Sequence, residues 1–568
     1  MGYYSNEKNV LILVSLLKSH GIKKIIVSPG TTNISFVVSV QNDPWFEVYS
    51  VVDERSAGFV ACGLSDASGE PVVLSCTGAT ASRNYLPGLT EAFYRNLPIL
   101  VVTFSQSLLR VESYSPQFVD RTVQFEDLVK MSLQVNPVLN SNDENNLITQ
   151  INRAILELNH KTCGPVHINI WSNYQNSYTT TLPTFRTIKR YSLGMDLPSI
   201  QNKKIGIFVG AHQIFSEEEI QIIDLFCETN NSIVLCDQTS NYHGKFRFLP
   251  NLSNNQRKEL SSKRFDLIIH IGSVSGSYLP LKMKEVWRVN SDGEVRDYFG
   301  RLTSVFEMKE VDFFKYYHGN HKDTSLFDKC VIERKNLLSK IPPLPFSNIW
   351  VAKNLSLDLP SKSVLCLAIL NSLRAWNFFD IDNSIACFSN TGGFGIDGCL
   401  SSFIGAALNN PEKEFYGIFG DLSFFYDINS LSNNLPNNIH MIVVNNGIGV
   451  EFKNYNHNAA SLGSAADMYI AAKGHNGNKS STLLKNICKN NNITYLFANN
   501  KEEFLSCKNL WLTKQNNPVL CEIFTCDKDE SDALYLINTI ENSIKSRAKS
   551  IILRMPFVKR IIKILRKG

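Results

Sequence analysis

The stretch that decides the fold is GIFGDLSFFYDINSLSNNLPNNIHMIVVNNGIG, residues 417–449. One apolar run ends at Gly420 and Asp421, a helix-like segment follows, and a second apolar run ends at Asn445 and Asn446. This order predicts a strand, a helix and a second, parallel strand. The carboxyl ends of parallel strands share one edge of a sheet, so a ligand site is expected there.

The polar side chains at this predicted edge suit a metal bound to a diphosphate. Asp421 and Asn446 could both give oxygen ligands to one hard cation such as Mg²⁺. Ser423 and the start of the helix that contains it could face phosphate oxygens. The alternative is that the two polar pairs merely cap two loops. Their spacing across one strand–helix–strand unit favours the Mg²⁺-diphosphate site.

The same alternation of apolar runs and amphipathic stretches extends over most of the chain. It predicts an α/β protein of three doubly wound parallel-sheet domains in series. We place a first domain at 1–185, a middle domain at 190–345 and a third at 346–540, followed by a tail at 541–568. The segment 179–199 breaks the pattern and is predicted to be a linker.

Composition narrows the class of protein further. The chain has 568 residues and a formal net charge of +5, which is too modest to indicate a polyanionic partner. Its thirteen cysteines form no CxxC pair, which favours reduced, buried thiols over disulfides or a zinc site. We find no signal peptide and no apolar run long enough to span a bilayer, and expect a cytoplasmic protein that binds no nucleic acid.

A second informative stretch is VVDERSAGFVACG, residues 51–63. Apolar residues precede Glu54 and small residues follow it, so the pattern predicts a carboxyl group at the end of a buried strand. The alternative is a surface ion pair of Glu54 with Arg55. Burial would raise the pKa of a carboxyl group at this position.

Four stretches together resemble the thiamine diphosphate enzymes, and among them the MenD family of the menaquinone pathway. They are VSPGTT, DERSAGFVACGLSDASGEPVVLSCTGATASRNYLPGLTEA, SNTGGFGIDGCLSS and GDLSFFYDINSL, in the order of that family. Leu422 stands where the superfamily signature has the second glycine of Gly-Asp-Gly. The resemblance covers residues 1 to about 540 and implies thiamine diphosphate and Mg²⁺ as cofactors.

The resemblance also implies roles for individual residues. Glu54 matches the glutamate that donates a hydrogen bond to the pyrimidine ring of thiamine and so promotes loss of the thiazolium C2 proton. Gln117 resembles the glutamine that faces the reacting carbon. The implied cofactor-binding residues are Ile396, Gly420, Asp421, Leu422, Ser423, Asn446 and Ile448, of which Asp421, Asn446 and the carbonyl of Ile448 hold the metal. A homodimer or homotetramer with active sites between subunits is implied as well.

The chain departs from this family where arginines bind the substrate carboxylates. Thr32, Gln106, Thr391 and Trp376 stand at four arginine positions, although Arg374 lies near the last. Because paired Arg–carboxylate contacts are strong and specific, their loss predicts a changed substrate pocket. The candidate substrate residues are Thr31, Thr32, Gln106, Arg374 and Thr391.

These features predict a decarboxylase and carboligase that joins a small 2-oxo acid such as pyruvate to a neutral or polar acceptor, in surface-polysaccharide or other specialised biosynthesis. One alternative is the MenD reaction of 2-oxoglutarate with isochorismate, with the carboxylates bound by Arg83, Arg121 or Arg374. The other alternative is a non-catalytic, thiamine-binding paralogue. The presence of Glu54 and Asp421 weighs against that last reading.

The end of the chain differs from the rest. Residues 543–568 carry nine Lys or Arg and no Asp or Glu, so the remainder has a net charge of −4 (+5 minus +9). After Pro556 the apolar and basic residues fall on different faces of a predicted helix, which suits the surface of an anionic membrane. The alternative is that the apolar face docks on the enzyme itself or on its partner subunit.

Overall fold

The computed structural model describes residues 3–122, 124–173, 177–474 and 480–541, so the basic tail at 543–568 lies outside the described residues. Contacts between residues divide the chain into two compact units. Unit 1 comprises 1–198 and 285–309, and unit 2 comprises 199–284 and 310–568. No helix among the described residues is long and apolar enough to cross a membrane.

The strands and helices alternate along the described chain, as the sequence predicts. The strands are β1 Lys24–Val27, β2 Glu47–Ser50, β3 Val72–Cys76, β4 Ile99–Ser105, β5 Met131–Val135, β6 Val166–Trp171, β7 Lys189–Ser192, β8 Ile205–Val209, β9 Ile233–Cys236, β10 Arg247–Phe248, β11 Arg264–Ile271, β12 Lys282–Val289, β13 Leu302–Glu307, β14 Val364–Leu367, β15 Ala386–Phe388, β16 Phe415–Gly420, β17 Ile439–Asn445, β18 Thr494–Ala498 and β19 Val519–Phe524. The helices are α1 Lys8–Ser19, α2 Ile34–Gln41, α3 Glu54–Ser68, α4 Thr80–Asn84, α5 Leu86–Tyr94, α6 Ser141–Glu157, α7 Glu217–Thr229, α8 Asn251–Asn254, α9 Glu310–Tyr317, α10 Ser325–Ser339, α11 Asn348–Leu355, α12 Asn371–Trp376, α13 Cys399–Leu408, α14 Asp421–Tyr426, α15 Leu483–Asn490, α16 Lys501–Leu512 and α17 Asp527–Asn538.

Unit 1 contains a parallel sheet in the order β2-β1-β3-β4-β6-β5. Its central strands β3 and β4 are buried along their whole length, because runs of β-branched and aliphatic residues suit a sheet that is covered on both faces. Val73 packs into one apolar cluster and the next residue, Leu74, into another. The two clusters are the cores on the two faces of this sheet.

Unit 2 contains a second parallel sheet of the same topology, in the order β15-β14-β16-β17-β19-β18. Cores again lie on both faces: Ile442 belongs to one cluster, and its neighbours Met441 and Val443 to the other. The central strand β17 is buried throughout. It therefore holds the Asn445–Asn446 turn at a defined position on the sheet edge.

The strands of the middle region belong to both units. In unit 1, β13 pairs in parallel with β12 and with β7. In unit 2, β8 pairs in parallel with β9 and β11, and β9 with β10. The predicted α/β fold with three regions of parallel sheet is thus confirmed, while the domain limits stay a prediction. The linker predicted at 179–199 is wrong in part, since β7 lies within it.

Candidate active site

Asp421 lies where the sequence predicts it, at the carboxyl end of β16 and the first position of α14. Its side chain is 3% exposed. One carboxylate oxygen accepts a hydrogen bond from the backbone N–H of Leu422 at 2.7 Å, and the other accepts from the N–H of Gly447 at 2.9 Å. The carboxylate is therefore fixed between the ends of β16 and β17.

The electrostatics of Asp421 suit a metal ligand. Burial raises the pKa of its carboxyl group to about 6, and the groups that oppose this shift are all backbone N–H groups rather than cations. Burying a carboxylate without a compensating cation is costly. A divalent cation beside Asp421 would supply the missing positive charge, so the residues present fit the bound metal that the family resemblance implies.

Asn446 and Ile448 belong to the turn that follows β17. The turn begins with Asn446, and the left-handed backbone of Gly447 (φ +74°) brings its N–H onto Asp421. The side-chain oxygen of Asn446 accepts a hydrogen bond from the N–H of Ile448 at 3.2 Å. One carboxylate, one amide oxygen and a nearby backbone carbonyl are oxygen donors of the kind that Mg²⁺ prefers.

Ser423 and Ile396 meet on the same side of this sheet. The Ser423 hydroxyl donates a hydrogen bond to the carbonyl of Ile396 at 2.7 Å and so anchors the loop before α13. Ser423 is buried, whereas Ile396 and Leu422 are partly exposed. Ser423 thus fixes the position of Ile396 beside the predicted metal site. Gly420, at the end of β16, directly precedes Asp421.

Glu54 is the first residue of α3 in unit 1. The preceding Asp53 caps this helix by accepting a hydrogen bond from the N–H of Ser56 at 2.7 Å. Glu54 itself is partly exposed and accepts one long hydrogen bond, from the Asn84 amide at 3.4 Å. Its carboxyl group is accordingly held less firmly within its unit than that of Asp421.

The predicted buried strand before Glu54 is wrong. The strand there, β2, ends at Ser50, and all four of its residues are exposed. It is the edge strand of its sheet, and an edge strand packs against fewer neighbours than a central one. Val52, Phe59 and Val60 are exposed to 75%, 47% and 45%, so Glu54 lies among apolar side chains on the surface of unit 1.

A close contact of two glycines positions α3. A Cβ atom added to Gly88 of α5 would lie 2.7 Å from backbone atoms of Gly58 in α3. Real Cβ atoms essentially never come so close to backbone atoms, so α5 needs glycine at position 88, while a Cβ atom added to Gly58 would lie a tight 3.2 Å from Cα of Gly88. The crossing sets the position of α3 and hence of Glu54.

The structure brings three predicted residues of unit 1 into one cavity. Thr32, Gln106 and Gln117 line a space of about 180 Å³, and Arg121 lines it with them. Thr32 is buried and its hydroxyl accepts a hydrogen bond from the N–H of Gly78 at 3.0 Å. Thr31, by contrast, is exposed and does not line this cavity.

Arg121 is the cationic residue of this cavity. Its guanidinium is 4% exposed, and it donates to the Ser82 hydroxyl at 3.2 Å and to the backbone carbonyl of Gln117 at 3.3 Å. Gln117 has a left-handed backbone (φ +68°), a strained conformation for a residue with a side chain. The bond to Arg121 helps to hold that conformation beside the cavity.

Two further predicted substrate residues, Arg374 and Thr391, lie in unit 2. Arg374 forms an ion pair with Glu451, with 2.6 Å between Nη1 and Oε1. Thr391 and Trp376 are buried. Arg374 is thus already balanced by a protein carboxylate.

The candidate site residues missed by the sequence analysis are Glu451 and Glu530. Glu451 lies five residues after Asn446 in the sequence. An acidic residue so close to the predicted metal loop is the sequence signal that could have identified it. Burial raises the pKa of Glu530 to about 7. The sequence around Glu530, an acidic helix start, gives no sign that this carboxyl group is buried.

Comparison with known proteins agrees with this geometry. Residues 10–125 match the model of the N-terminal thiamine pyrophosphate-binding domain of thiamine pyrophosphate enzymes. The protein is therefore a thiamine diphosphate enzyme, the class whose cofactor is used with a divalent metal such as Mg²⁺.

Comparison with curated relatives gives the narrower family. The chain is 30% identical over 558 residues to the 2-succinyl-5-enolpyruvyl-6-hydroxy-3-cyclohexene-1-carboxylate synthase of Bacteroides thetaiotaomicron, covering 92% of this chain and 96% of the relative. It is 30% identical over 561 residues to the synthase of Phocaeicola vulgatus, with 94% and 98% covered. For the synthase of Flavobacterium psychrophilum the values are 28% over 473 residues, with 78% and 84% covered. The chain belongs to the MenD family.

Proposed function

We propose that this protein decarboxylates 2-oxoglutarate and joins the remaining four-carbon unit to isochorismate, which yields 2-succinyl-5-enolpyruvyl-6-hydroxy-3-cyclohexene-1-carboxylate. The observation that carries this proposal is Arg121, a buried guanidinium in the cavity that also contains Gln117 and Gln106. In this proposal Arg121 binds the substrate carboxylate in place of the family arginines. At two of those arginine positions this chain has Thr32 and Gln106. The three curated relatives described above bear the name of the synthase that makes this product.

The bound thiamine diphosphate supplies the carbon nucleophile for the 2-oxo group and takes up the electron pair released with CO₂. Asp421 and Asn446 would hold the metal that the diphosphate requires, and Ile396 would support the thiazolium ring. Glu54 would hydrogen-bond the pyrimidine ring and so promote proton loss at the reacting carbon. Gln117 would contact the substrate.

Arg121 binds a carboxylate of the substrate in this proposal. The guanidinium is planar, permanently charged and already held by Ser82 and by the Gln117 carbonyl. A carboxylate in the cavity would accept charge-assisted hydrogen bonds from it, each worth about 1.5–3 kcal/mol. Thr32 and Gln106 complete the polar lining.

The test is product formation from 2-oxoglutarate and isochorismate by the purified enzyme with thiamine diphosphate and Mg²⁺. We expect turnover, and an increase in KM for 2-oxoglutarate of about 10- to 100-fold in Arg121→Met, from the loss of one such hydrogen bond. Arg153→Met is the matched control, because Arg153 of α6 is exposed and does not line the cavity. A wild-type enzyme without this activity would refute the proposal.

A second candidate is carboligation of a small 2-oxo acid, such as pyruvate, to a neutral or polar acceptor. The arrangement in unit 2 favours it, since Thr391 and Trp376 replace arginines and Arg374 is balanced by Glu451. Steady-state assays with pyruvate and neutral aldehydes, beside the assay above, separate the two candidates. Higher kcat/KM for the neutral acceptors would select the second.

We also propose a cytoplasmic homodimer or homotetramer. The apolar surface around Glu54, formed by Val52, Phe59 and Val60, supports association of subunits at that place. Sedimentation equilibrium should show at least a dimer, and Phe59→Glu should dissociate it.

The proposed membrane contact of residues 543–568 is tested by co-sedimentation with anionic liposomes, comparing the full chain with one that ends at Asn542.

A further inference from the structure

Unit 2 contains a second cavity, at the carboxyl edge of its six-stranded sheet. Its volume is about 280 Å³, near the lower end of the range of about 300–1,000 Å³ that is typical of small-molecule sites. Its walls come from segments that follow β14, β17 and β19 and from α8 and α11. We name it the asparagine cavity after Asn251, Asn348, Asn538 and four further asparagines that line it.

The buried amides of this cavity are only partly used. Asn251, Asn348 and Asn538 are 3%, 4% and 8% exposed. Among the described residues, none gives a hydrogen-bond partner to their Oδ1 atoms, nor to Nε of Arg374. A buried polar atom without a partner destabilises the folded protein. Residues that line the cavity thus contain three acceptor atoms and one donor atom without a protein partner.

The charged groups of the cavity include one ion pair and one further acidic residue. Arg374 and Glu451 form their ion pair at 2.6 Å within its wall. Glu530 accepts hydrogen bonds from the N–H of Asn348 at 3.0 Å and from the Thr525 hydroxyl at 2.8 Å. Burial raises the pKa of its carboxyl group to about 7. An anionic ligand would meet a guanidinium that is already paired and a second acidic residue, and it would pay a desolvation cost.

Apolar side chains also line the cavity. They are those of Ile349, Phe378 and Leu534, and Tyr278, which is 73% exposed, lines it as well. A lining that combines amides with aliphatic and aromatic groups suits a molecule with hydroxyl groups on a carbon ring. Hydroxyl groups both donate and accept, so they match an amide in either orientation.

We propose that the asparagine cavity binds a compact, uncharged polyhydroxylated molecule of the monosaccharide or cyclitol class. This site goes beyond the proposed function, because the ligand is neither thiamine diphosphate nor a carboxylate. The cavity lies at the same sheet edge as Asp421 and Asn446, where ligands of open α/β sheets bind.

The test is calorimetry on the full-length protein saturated with thiamine diphosphate and Mg²⁺. The uncharged probes are D-glucose, D-galactose and myo-inositol, and D-gluconate is the charged comparison. We expect at least one uncharged probe to bind and D-gluconate not to bind. Asn538→Leu removes one buried amide and should weaken binding about tenfold, the effect of losing about 1.4 kcal/mol.

A second variant distinguishes a loss of binding from a folding defect in Asn538→Leu. Leu534→Trp fills the cavity from a partly exposed position and should abolish binding. Asn486→Leu is the matched control, since Asn486 is an exposed asparagine of α15 away from the cavity, and it should bind like the wild type. Three outcomes would overturn the proposal: none of the three uncharged probes binds, D-gluconate binds as well as they do, or binding is unchanged in Leu534→Trp. Assays of 2-oxoglutarate turnover without any probe report separately on the proposed function.

Discussion

The sheet of unit 1 and the six-stranded sheet of unit 2 have the same topology but carry different chemistry at the same strand ends. If the strands of each are numbered from its own first strand, both follow the order 2-1-3-4-6-5. After the third strand, unit 1 has Thr77 and Gly78, whereas unit 2 has Asp421. After the fourth strand, unit 1 has Gln106 and unit 2 has Asn446.

This difference shows what topology decides and what it leaves open. The strand order places these positions at one edge, so that either sheet can form a ligand site there. The side chains then decide the ligand: a guanidinium and neutral polar groups in unit 1, and a carboxylate with an amide in unit 2. Fold alone would not separate the two functions.

The two edges also differ in how firmly they hold their acidic group. Asp421 is buried and accepts hydrogen bonds from two backbone N–H groups, whereas Glu54 is partly exposed with one long hydrogen bond. Unit 2 therefore presents a preorganised carboxylate at the proposed metal site. The position of Glu54 depends instead on the packing of α3, which the contact of Gly58 with Gly88 controls.

The largest effect is expected from Asp421→Ala, which removes the proposed metal ligand of unit 2. Binding of thiamine diphosphate with Mg²⁺ should become undetectable by calorimetry, because this variant loses the carboxylate that is fixed between the ends of β16 and β17. Glu412→Ala, an exposed acid before the same strand, is the control and should bind normally. Undiminished affinity in Asp421→Ala would remove the metal site from unit 2.

The next effect concerns the acidic group of unit 1. Glu54→Gln should leave cofactor affinity near normal but slow proton–deuterium exchange at thiazolium C2 by about 10²–10⁴-fold, the usual contribution of a positioned acid–base group. The exchange is followed by NMR. Glu91→Gln, at an exposed position of α5, is the control. Equal exchange rates in Glu54→Gln and wild type would exclude Glu54 from the mechanism.

A smaller effect tests how α3 is positioned. Gly88→Ala puts a Cβ atom into the backbone of Gly58 and should lower the free energy of unfolding by about 1–3 kcal/mol, the usual cost of overpacking. Gly63→Ala, at an exposed site in α3 with open space around it, should instead be neutral or stabilising. Thermal or urea unfolding measures both. Equal stability of the two variants would contradict the tight crossing.

The smallest effect is a pH dependence of metal affinity. Because burial raises the pKa of Asp421 to about 6, its carboxyl group is mostly protonated below pH 6. At such a pH the group must lose its proton before it can bind the metal. Affinity should fall about tenfold per pH unit below pH 6 and level off above it.

The metal-free protein should lose stability as the pH rises from 3.8 to about 6, because ionising a buried carboxyl group disfavours the folded state. Calorimetry across pH 5–8 decides, and a flat profile would refute the raised pKa.

The sequence predicted unit 2 better than unit 1 for a physical reason. Asp421 and Asn446 directly follow long apolar runs, so local pattern alone places them at one edge. Arg121 lies in an irregular segment with left-handed residues, where no periodicity indicates which side chains turn inward. The burial predicted for the strand before Glu54 is wrong because β2 is an edge strand, and all four of its residues are exposed.

The ion pair of Arg374 with Glu451 has an evolutionary consequence. One nucleotide substitution converts a glutamate codon into a glutamine codon, and at position 451 it would leave the guanidinium of Arg374 without its carboxylate partner. The wall of the asparagine cavity would then carry a positive charge and select anionic ligands. This lineage is one point mutation away from a different class of ligand, while its metal site and its core stay unchanged.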